Sequence, residues 1–435
     1  MNLAKYVRGS CNRLDPTGEY LRQMAERFTA AMRAGLAGHP SSLKMLPSYI
    51  APPRGDERGE AVAVDFGGTN VRILKVRLAD GGVTCDPPRS FSLKAPNGSY
   101  DYTREESSAE ELFDFIADNV AEVAADCEAE IPLGHTFSFP CRQEGVNRAV
   151  LIQWTKEIRT GGVEGRDITP LLAEALERRG VRHVRPRAVI NDTVGTLLAA
   201  AYQFRNADLG SICGTGHNTC YLEPRHPLTS APMIVNMESG NFDGVALAPY
   251  DEEVNERSDR PGAQLLEKMV SGAYLGEVVL AVLREMAAER LLPAKGGGWD
   301  RGTLTGVHLS RIIEDGPECR DTQTIAKTQL GLSGLADDQL QAIRRVVVSV
   351  AGRSARLVGA TFGGILRYLD PDGEQPHMVA IDGSLYAHMP GYDAGIRAGL
   401  KAVLDKAAGN VTTRLVKDGS GIGAAIAAIV ADAQK

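Results

Sequence analysis

Two short glycine-rich turns, each set between apolar segments, constrain the fold of this chain more than any other feature. The first lies in residues 62–76, VAVDFGGTNVRILKV, and the second in residues 209–222, LGSICGTGHNTCYL. β-Branched and apolar residues on both sides of a turn predict a β-hairpin. Strand patterns that alternate with helix patterns follow each hairpin, so the repeat predicts two similar α/β halves that face each other across a cleft.

The tip of the first hairpin has the residue types that bind phosphate. Gly67 and Gly68 have no Cβ, so the backbone can adopt positive φ and approach a ligand closely. The successive amides, together with Thr69 and Asn70, offer donors to phosphate oxygens, and Asp65 could hold a hydrated Mg²⁺ that faces them. An ordinary hairpin, in which Asp65 and Asn70 only satisfy the turn backbone, explains this stretch equally well.

Length and charge limit the class of protein. A chain of 435 residues exceeds the size at which one core usually stops growing, so two domains are expected. Hydrophobic residues make up 43% and charged residues 24%, as in globular proteins, and the net charge of -7 argues against a nucleic-acid partner. The first residues contain no apolar signal segment and no apolar run could span a bilayer, which predicts a cytoplasmic protein without a membrane partner.

Cysteine and histidine usage points to neither disulfides nor a transition metal. The seven cysteines are odd in number and contain no C-x-x-C pair, which predicts reduced, structural thiols. The eight histidines show no H-x-x-x-H or H-E-x-x-H spacing. The G-x-x-x-x-G-K run of P-loop proteins is also missing, so another phosphate-binding device is required.

Hydrophobic periodicity places the remaining elements coarsely. An amphipathic helix covers Leu21 to Met32, with Asp15 as its N-cap and Pro16 in its first turn. Further helices are predicted over residues 105–125, 165–179, 194–202, 270–289, 343–357 and 424–435, and strands over residues 131–140, 187–190 and 378–381.

Six segments, in chain order, resemble motifs of the hexokinase and glucokinase family. They are DFGGTNVR at 65–72, preceded by KMLP at 44–47; FSFPC at 137–141, followed by WTK at 154–156; NDTVGT at 191–196; GTGHN at 214–218; PGAQLLEK at 261–268; and DGSLY at 382–386. The resemblance runs from about Leu43 to the last helix. It implies an α/β chain with the two-domain actin-like, or ribonuclease H-like, ATPase fold and a central cleft. The implied small domain is 60–192 plus 422–435, and the large domain is 1–59 plus 193–421.

The resemblance also assigns two catalytic residues. Asp192 is implied to accept the proton of a sugar 6-hydroxyl as that oxygen attacks the γ-phosphate of ATP, and Lys156 to offset the developing negative charge. Residue type alone indicates something else. An aspartate between a strand and a helix is usually an N-cap, and a lysine is usually a solvated surface residue.

The implied ligands are a hexose and ATP with Mg²⁺, and the metal is bound by Asp65 through water. The sugar-binding residues implied by the motifs are Ser138, Thr155, Lys156, Asn191, Asp192, Asn218, Glu238 and Glu267. The implied nucleotide-binding residues are Asp65, Gly67, Gly68, Thr69, Asn70, Arg72, Thr215, Gly216, Gly383, Ser384 and Ser420. Three positions depart from the family pattern: Ser239 stands where a tryptophan is usual, Ala387 where a lysine is common, and Ile422 where a basic residue is usual.

These observations favour a hexokinase that converts glucose to glucose 6-phosphate, the first step of glycolysis. A preference for mannose or fructose is the alternative among enzymes, because the surroundings of Glu238 are altered. A sugar sensor that has lost catalysis is the alternative outside enzymes, although such a sensor would not need Asp192, Lys156 and Asp65 together.

Overall fold

The computed structural model describes residues 2–155, 158–293 and 299–433. Contacts between residues divide the chain into two compact units. Unit 1 comprises Met1–Lys44, Ile212–Asn218 and Glu238–Leu415, and unit 2 comprises Met45–Ser211, Thr219–Met237 and Val416–Lys435. The domain boundaries implied by the sequence motifs remain a prediction.

Helices and strands alternate along much of the chain. The α-helices are α1 (Leu3–Arg13), α2 (Gly18–Leu36), α3 (Ala109–Val123), α4 (Ile168–Arg178), α5 (Asp192–Gln203), α6 (Pro249–Glu256), α7 (Leu265–Val270), α8 (Gly272–Ala288), α9 (Gly306–Glu314), α10 (Arg320–Leu330), α11 (Asp337–Leu369), α12 (Ser384–His388), α13 (Tyr392–Leu404) and α14 (Gly419–Asp432). The strands are β1 (Leu46–Pro47), β2 (Gly59–Phe66), β3 (Asn70–Ala79), β4 (Gly82–Cys85), β5 (Arg89–Ser92), β6 (Ile131–Phe137), β7 (Cys141–Gly145), β8 (Arg148–Leu151), β9 (Val184–Ile190), β10 (Ala207–Cys213), β11 (His217–Glu223), β12 (Met233–Asn236), β13 (His377–Asp382) and β14 (Val411–Leu415).

Unit 2 contains a sheet with the order β4-β3-β2-β6-β9, in which β5 also pairs with β3. β2 and β3 are antiparallel, which confirms the first predicted hairpin, whereas β2, β6 and β9 are parallel. Successive residues of a strand face opposite sides. On β6, Leu133 and Phe137 join the core that contains α3 and α4, while Gly134 and Thr136 meet α14. Helices therefore cover both faces of the parallel strands.

A second six-stranded sheet has the order β1-β12-β11-β10-β13-β14. Its neighbouring strands β10 and β11 are joined by a three-residue turn, Gly214 to Gly216, which confirms the second predicted hairpin. In unit 1, β13 and β14 are parallel, and α11 packs against α13, α2 and α8. A buried, two-bonded ion pair links α6 to α11, with Arg353 Nη1 and Nη2 each 2.7 Å from a carboxylate oxygen of Asp251.

Several predicted element ends shift in the structure. α2 begins at Gly18 because the Thr17 side chain accepts a hydrogen bond from the amide of Tyr20. The predicted N-cap role of Asp15 was therefore wrong, and its carboxylate instead pairs with Arg356. α11 extends far beyond the predicted residues 343–357, and α14 starts at Gly419 rather than residue 424. None of the helices in the described ranges combines the length and the apolar character needed to cross a membrane.

Candidate functional site

The carboxyl ends of three adjacent parallel strands in unit 2 bring predicted site residues to one edge of the sheet. Strand β2 ends at Phe66, whose carbonyl accepts a hydrogen bond of 3.1 Å from the amide of Ser138, just after β6. β9 ends at Ile190, which pairs with Thr136 of β6, and the chain continues into Asn191 and Asp192. This edge is where open parallel sheets bind ligands, because the connections to the following helices leave room there.

Asn191 and Asp192 share the amino end of α5. Asn191 is the N-cap, and its Oδ1 accepts the Thr193 amide at 2.9 Å and the Thr193 hydroxyl at 2.7 Å. Asp192 is the first helical residue, and its Oδ1 accepts the Thr193 amide at 2.8 Å. The interpretation of Asp192 as the N-cap is therefore wrong, because Asn191 takes that position. The positive end of the helix dipole stabilises a negative charge at Asp192.

Asp65, at the end of β2, is the centre of a polar network within unit 2. Its Oδ2 accepts a hydrogen bond of 2.8 Å from the Ser420 hydroxyl and forms a salt bridge with Arg72. Arg72 in turn donates through Nη1 to Asp418 at 2.8 Å, and Thr136 donates to the Ser420 carbonyl at 2.8 Å. The two bonds to Asp65 both use Oδ2 rather than Oδ1, and the other two bonds hold its partners Arg72 and Ser420 in place.

The donor set around Asp65 fits a hydrated Mg²⁺ better than a protein-caged metal ion. Mg²⁺ keeps several waters and is usually held by one or two carboxylates and substrate phosphates. Among the described residues, no group of three or more His, Cys, Asp or Glu side chains is placed to hold a metal ion. Asp65 can act on a metal through water from Oδ1, while Arg72 and Ser420 hold Oδ2.

The turn of the first hairpin carries the predicted phosphate donors. Thr69 and Asn70 are exposed at the tip, and a Cβ added to Gly68 would meet no heavy atom within 4 Å. Gly67 and Gly68 are not among the glycines with positive φ in the described part of the chain. The turn therefore does not use the positive φ that glycine permits. The missing Cβ atoms still allow a ligand to approach the backbone closely.

In the second turn, which belongs to unit 1, two carbonyl groups accept hydrogen bonds from helix α8. The Gly214 carbonyl accepts the Gly272 amide at 2.9 Å, and the Thr215 carbonyl accepts the Ala273 amide at 3.0 Å, both at the start of α8. In a trans peptide the N–H points opposite to the C=O. The amides of Thr215 and Gly216 therefore point away from α8, and successive amides of this kind make an anion-binding concavity.

Gly383 and Ser384 lie directly against this second turn. Gly383 has φ +118, and a Cβ there would lie 2.5 Å from the Cys213 carbonyl oxygen. A side chain is excluded by both the conformation and the contact. The predicted adenosine segment and the second phosphate turn are thus neighbours within unit 1.

The predicted sugar-binding residues of unit 1 also lie together. Asn218 accepts the Ser239 amide at 3.1 Å, and its Nδ2 lies 3.5 Å from Glu238 Oε1. A Cβ on Gly216 would lie 3.2 Å from Glu267 Oε1. One carboxamide and two carboxylates around the turn can pair with sugar hydroxyls, each of which both donates and accepts.

Thr155 follows a tryptophan that belongs to an aromatic cluster of unit 2. The indole N–H of Trp154 donates to the Thr160 carbonyl at 2.9 Å, and the centroids of the Trp154 and Phe139 rings are 4.8 Å apart, so Trp154 is a packing residue. Thr155 itself is half-buried. Lys156 lies outside the described residues, so its predicted role stays a prediction.

Sequence reasoning missed three residues that position this machinery. Asp418 holds Arg72, Thr136 holds the Ser420 backbone, and Gln264 donates to Glu267 Oε2 at 2.9 Å. Gln264 lies inside the PGAQLLEK segment, and Asp418 is two positions before Ser420. Their nearness to predicted site residues in the sequence could have identified both. Thr136 looked like an ordinary strand residue, and only its contact reveals its role.

The chain is similar to known proteins along almost its whole length. Two family models, both described as hexokinase, match residues 6–202 and 208–430. Hexokinase-2 of Rattus norvegicus is 35% identical over 95% of this chain and 47% of its own length, and Hexokinase-1 of Mus musculus is 35% identical over 95% of this chain and 44% of its own length. This chain thus spans about half the length of those curated relatives.

Solved structures match over their whole length. A hexokinase crystal structure superposes with a TM-score of 0.88 at 32% identity, covering 98% of this chain and 99% of that one. A hexokinase of Schistosoma mansoni complexed with glucose gives a TM-score of 0.84 at 30% identity, covering 99% of this chain and 100% of that one. The predicted α/β fold with two actin-like domains is confirmed, and the chain belongs to the hexokinase family.

Proposed function

We propose that this protein is a hexokinase that transfers the γ-phosphoryl group of ATP to the 6-hydroxyl of a hexose, with glucose as the first candidate. The observation that carries the proposal is the edge of the unit 2 sheet, where Asp65 lies at the end of one parallel strand and Ser138 and Asp192 follow its two neighbours. A carboxylate at the start of α5 and a second carboxylate oriented by Arg72 and Ser420 supply a base and a metal-facing group for phosphoryl transfer.

Each residue has a role that its surroundings support. Asp192 takes the proton of the attacking 6-hydroxyl, and a positioned base of this kind contributes roughly 10²–10⁴-fold to the rate. Ser138 and Asn191 lie beside it and orient the sugar. Because the transition state of phosphoryl transfer is loose, positioning and neutralisation of charge carry most of the acceleration.

Nucleotide binding uses the two glycine-rich turns. The phosphate donors of unit 2 are Thr69 and Asn70, and those of unit 1 are the amides of Thr215 and Gly216. Mg²⁺, when bound, neutralises phosphate charge, and Asp65 holds its water shell. Lys156 completes the set as a cation at the transferred group.

Glucose is proposed because the Schistosoma mansoni relative was solved in complex with glucose. Mannose and fructose remain the alternative substrates, because Ser239 next to Glu238 departs from the family pattern. Its side chain is fully buried, and its hydroxyl has no hydrogen-bond partner among the residues that the structure describes. A first step of glycolysis and a cytoplasmic location belong to the same proposal.

The test is ADP release with a panel of hexoses, in the wild type and in Asp192→Ala. We expect sugar-dependent turnover in the wild type and a loss of about 10²-fold or more in the variant. Sugar binding should survive in Asp192→Ala as a change in Trp154 fluorescence. If the wild type binds sugar but releases no ADP with any hexose, the protein is a sugar sensor and the kinase proposal is wrong.

A further inference from the structure

One buried histidine lies directly at the second phosphate turn. His217 is the first residue of β11, immediately after Gly216, and its side chain is almost fully buried. Its Nδ1 lies 3.1 Å from the carbonyl oxygen of Ile212, on the other strand of the hairpin. The ring therefore connects the two strands at the base of the turn.

The partner atoms decide which ring nitrogen carries the proton. A carbonyl oxygen can only accept, so Nδ1 must donate to Ile212. Burial lowers the pKa of His217 to about 4, and the ring is neutral at pH 7. Nε2 is then the unprotonated nitrogen, buried without a hydrogen-bond partner among the described residues. An unpaired acceptor there is less costly than an unpaired donor would be, because it leaves no buried N–H unsatisfied.

The His217 bond adds to the other contacts that hold the turn. The first amides of α8 hold the carbonyls of Gly214 and Thr215, and the Gly214 amide donates to the Gly216 carbonyl at 3.0 Å within the turn. The two strands are also hydrogen-bonded neighbours in the sheet, and the His217 ring adds a side-chain bond between them at the base of the turn. Asn218, the next residue along β11, has its own contacts to Ser239 and Glu238. The His217 ring thus acts on the phosphate-binding side of the turn more than on the sugar-binding residue that follows.

We propose that His217 is a positioning residue for nucleotide binding, because its Nδ1–H bond to Ile212 fixes the turn that presents the Thr215 and Gly216 amides. This proposal rests on the proposed kinase function. A hydrogen bond of this kind is typically worth about a factor of ten in an equilibrium.

Two amide side chains make a matched pair for the test. The amide of asparagine can place its N–H near the position of Nδ1, whereas the longer glutamine places it near Nε2. We expect His217→Asn to keep the KM for ATP within about twofold of the wild type. We expect His217→Gln to raise the KM for ATP about tenfold while the KM for the hexose changes less than twofold.

Equal KM values for ATP in the two variants would overturn the proposal, as would a parallel rise in the KM values for ATP and hexose. Calorimetric titration with Mg·ATP compares the nucleotide affinities of the two variants without turnover. The role of His217 can therefore be tested even if the protein shows no kinase activity. The ¹⁵N chemical shifts of His217 in the wild type provide an independent measurement that does not require either variant to fold. An Nε2–H tautomer or an imidazolium at pH 7 would contradict the assignment.

Discussion

The contact between α5 and α14 gives the sharpest prediction about how unit 2 holds its site. A Cβ on Gly423 would lie 2.0 Å from the Gly195 carbonyl oxygen and 2.4 Å from its carbonyl carbon. Favourable contacts between heavy atoms lie at about 3.5–4.0 Å, and both of these neighbours are backbone atoms. The change Gly423→Ala must therefore move the two helices apart by roughly 1 Å.

The magnitude follows from two opposing effects. Overpacking of a dense interior costs about 1–3 kcal/mol, and a backbone clash is at the upper end. Alanine instead of glycine inside a helix returns about 1 kcal/mol. We expect a net loss of about 2 kcal/mol in the free energy of unfolding of unit 2, which corresponds to about 4–8 °C in its melting temperature.

We also expect Gly423→Ala to lower the rate of ADP release, because both helices carry predicted site residues. α14 carries Ser420, which bonds to Asp65, and α5 carries Asp192 at its first residue. A displacement of about 1 Å in a catalytic arrangement can lower the rate about 10²-fold. Sugar-dependent ADP release, measured well below the melting temperature of the variant, detects this loss.

Gly421→Ala is the matched control in the same helix. The three atoms nearest to its Cβ would all belong to the Leu74 side chain, and the closest is Cδ2 at 2.8 Å, at the end of a side chain that can move. We expect a melting temperature within about 2 °C of the wild type and nearly unchanged ADP release. The reasoning is refuted if Gly423→Ala is as stable and as active as Gly421→Ala.

Two further predictions concern single charged or titrating groups. Asp65→Ala should raise the KM for Mg·ATP and leave the affinity for hexose nearly unchanged, because the bonds of Asp65 run to Arg72 and Ser420. Hexose titration followed by Trp154 fluorescence measures the affinity for hexose. An equal loss of hexose affinity would refute this prediction. Burial lowers the pKa of His135 from the ordinary 6.5 to about 3. Between pH 6.5 and pH 3 this histidine is therefore protonated only in the unfolded state. The free energy of unfolding then falls as the pH is lowered, by up to about 1.4 kcal/mol per pH unit. Urea unfolding from pH 7 to pH 4 should show a shallower decline in His135→Leu, and equal slopes would contradict the assignment.

Local sequence patterns were enough for the elements that build the site. Both hairpins were predictable because apolar, β-branched segments around a glycine-rich turn have few other conformations open to them. The strand before Asp192 and the helix after it were predictable for the same local reason. The order of the six motifs added the family and the fold.

The ends of elements were less predictable, because short-range competition decides them. Asp15 and Thr17 are both good caps, and only the contact of Asp15 with Arg356 shows why Thr17 is used. Asn191 and Asp192 compete in the same way for the start of α5. A sequence shows which residues are able to cap, but not which of two neighbours does so.

Tertiary structure alone decided how distant segments complete the site. Ser420 and Asp418 are more than 300 positions from Asp65 and Arg72, yet the four side chains form one network. The apolar pattern of α14 shows that the helix is buried, but not that it packs on α5 through two glycines. Periodicity identifies the face of an element that must be covered, whereas the covering partner depends on shape and close packing across the whole fold.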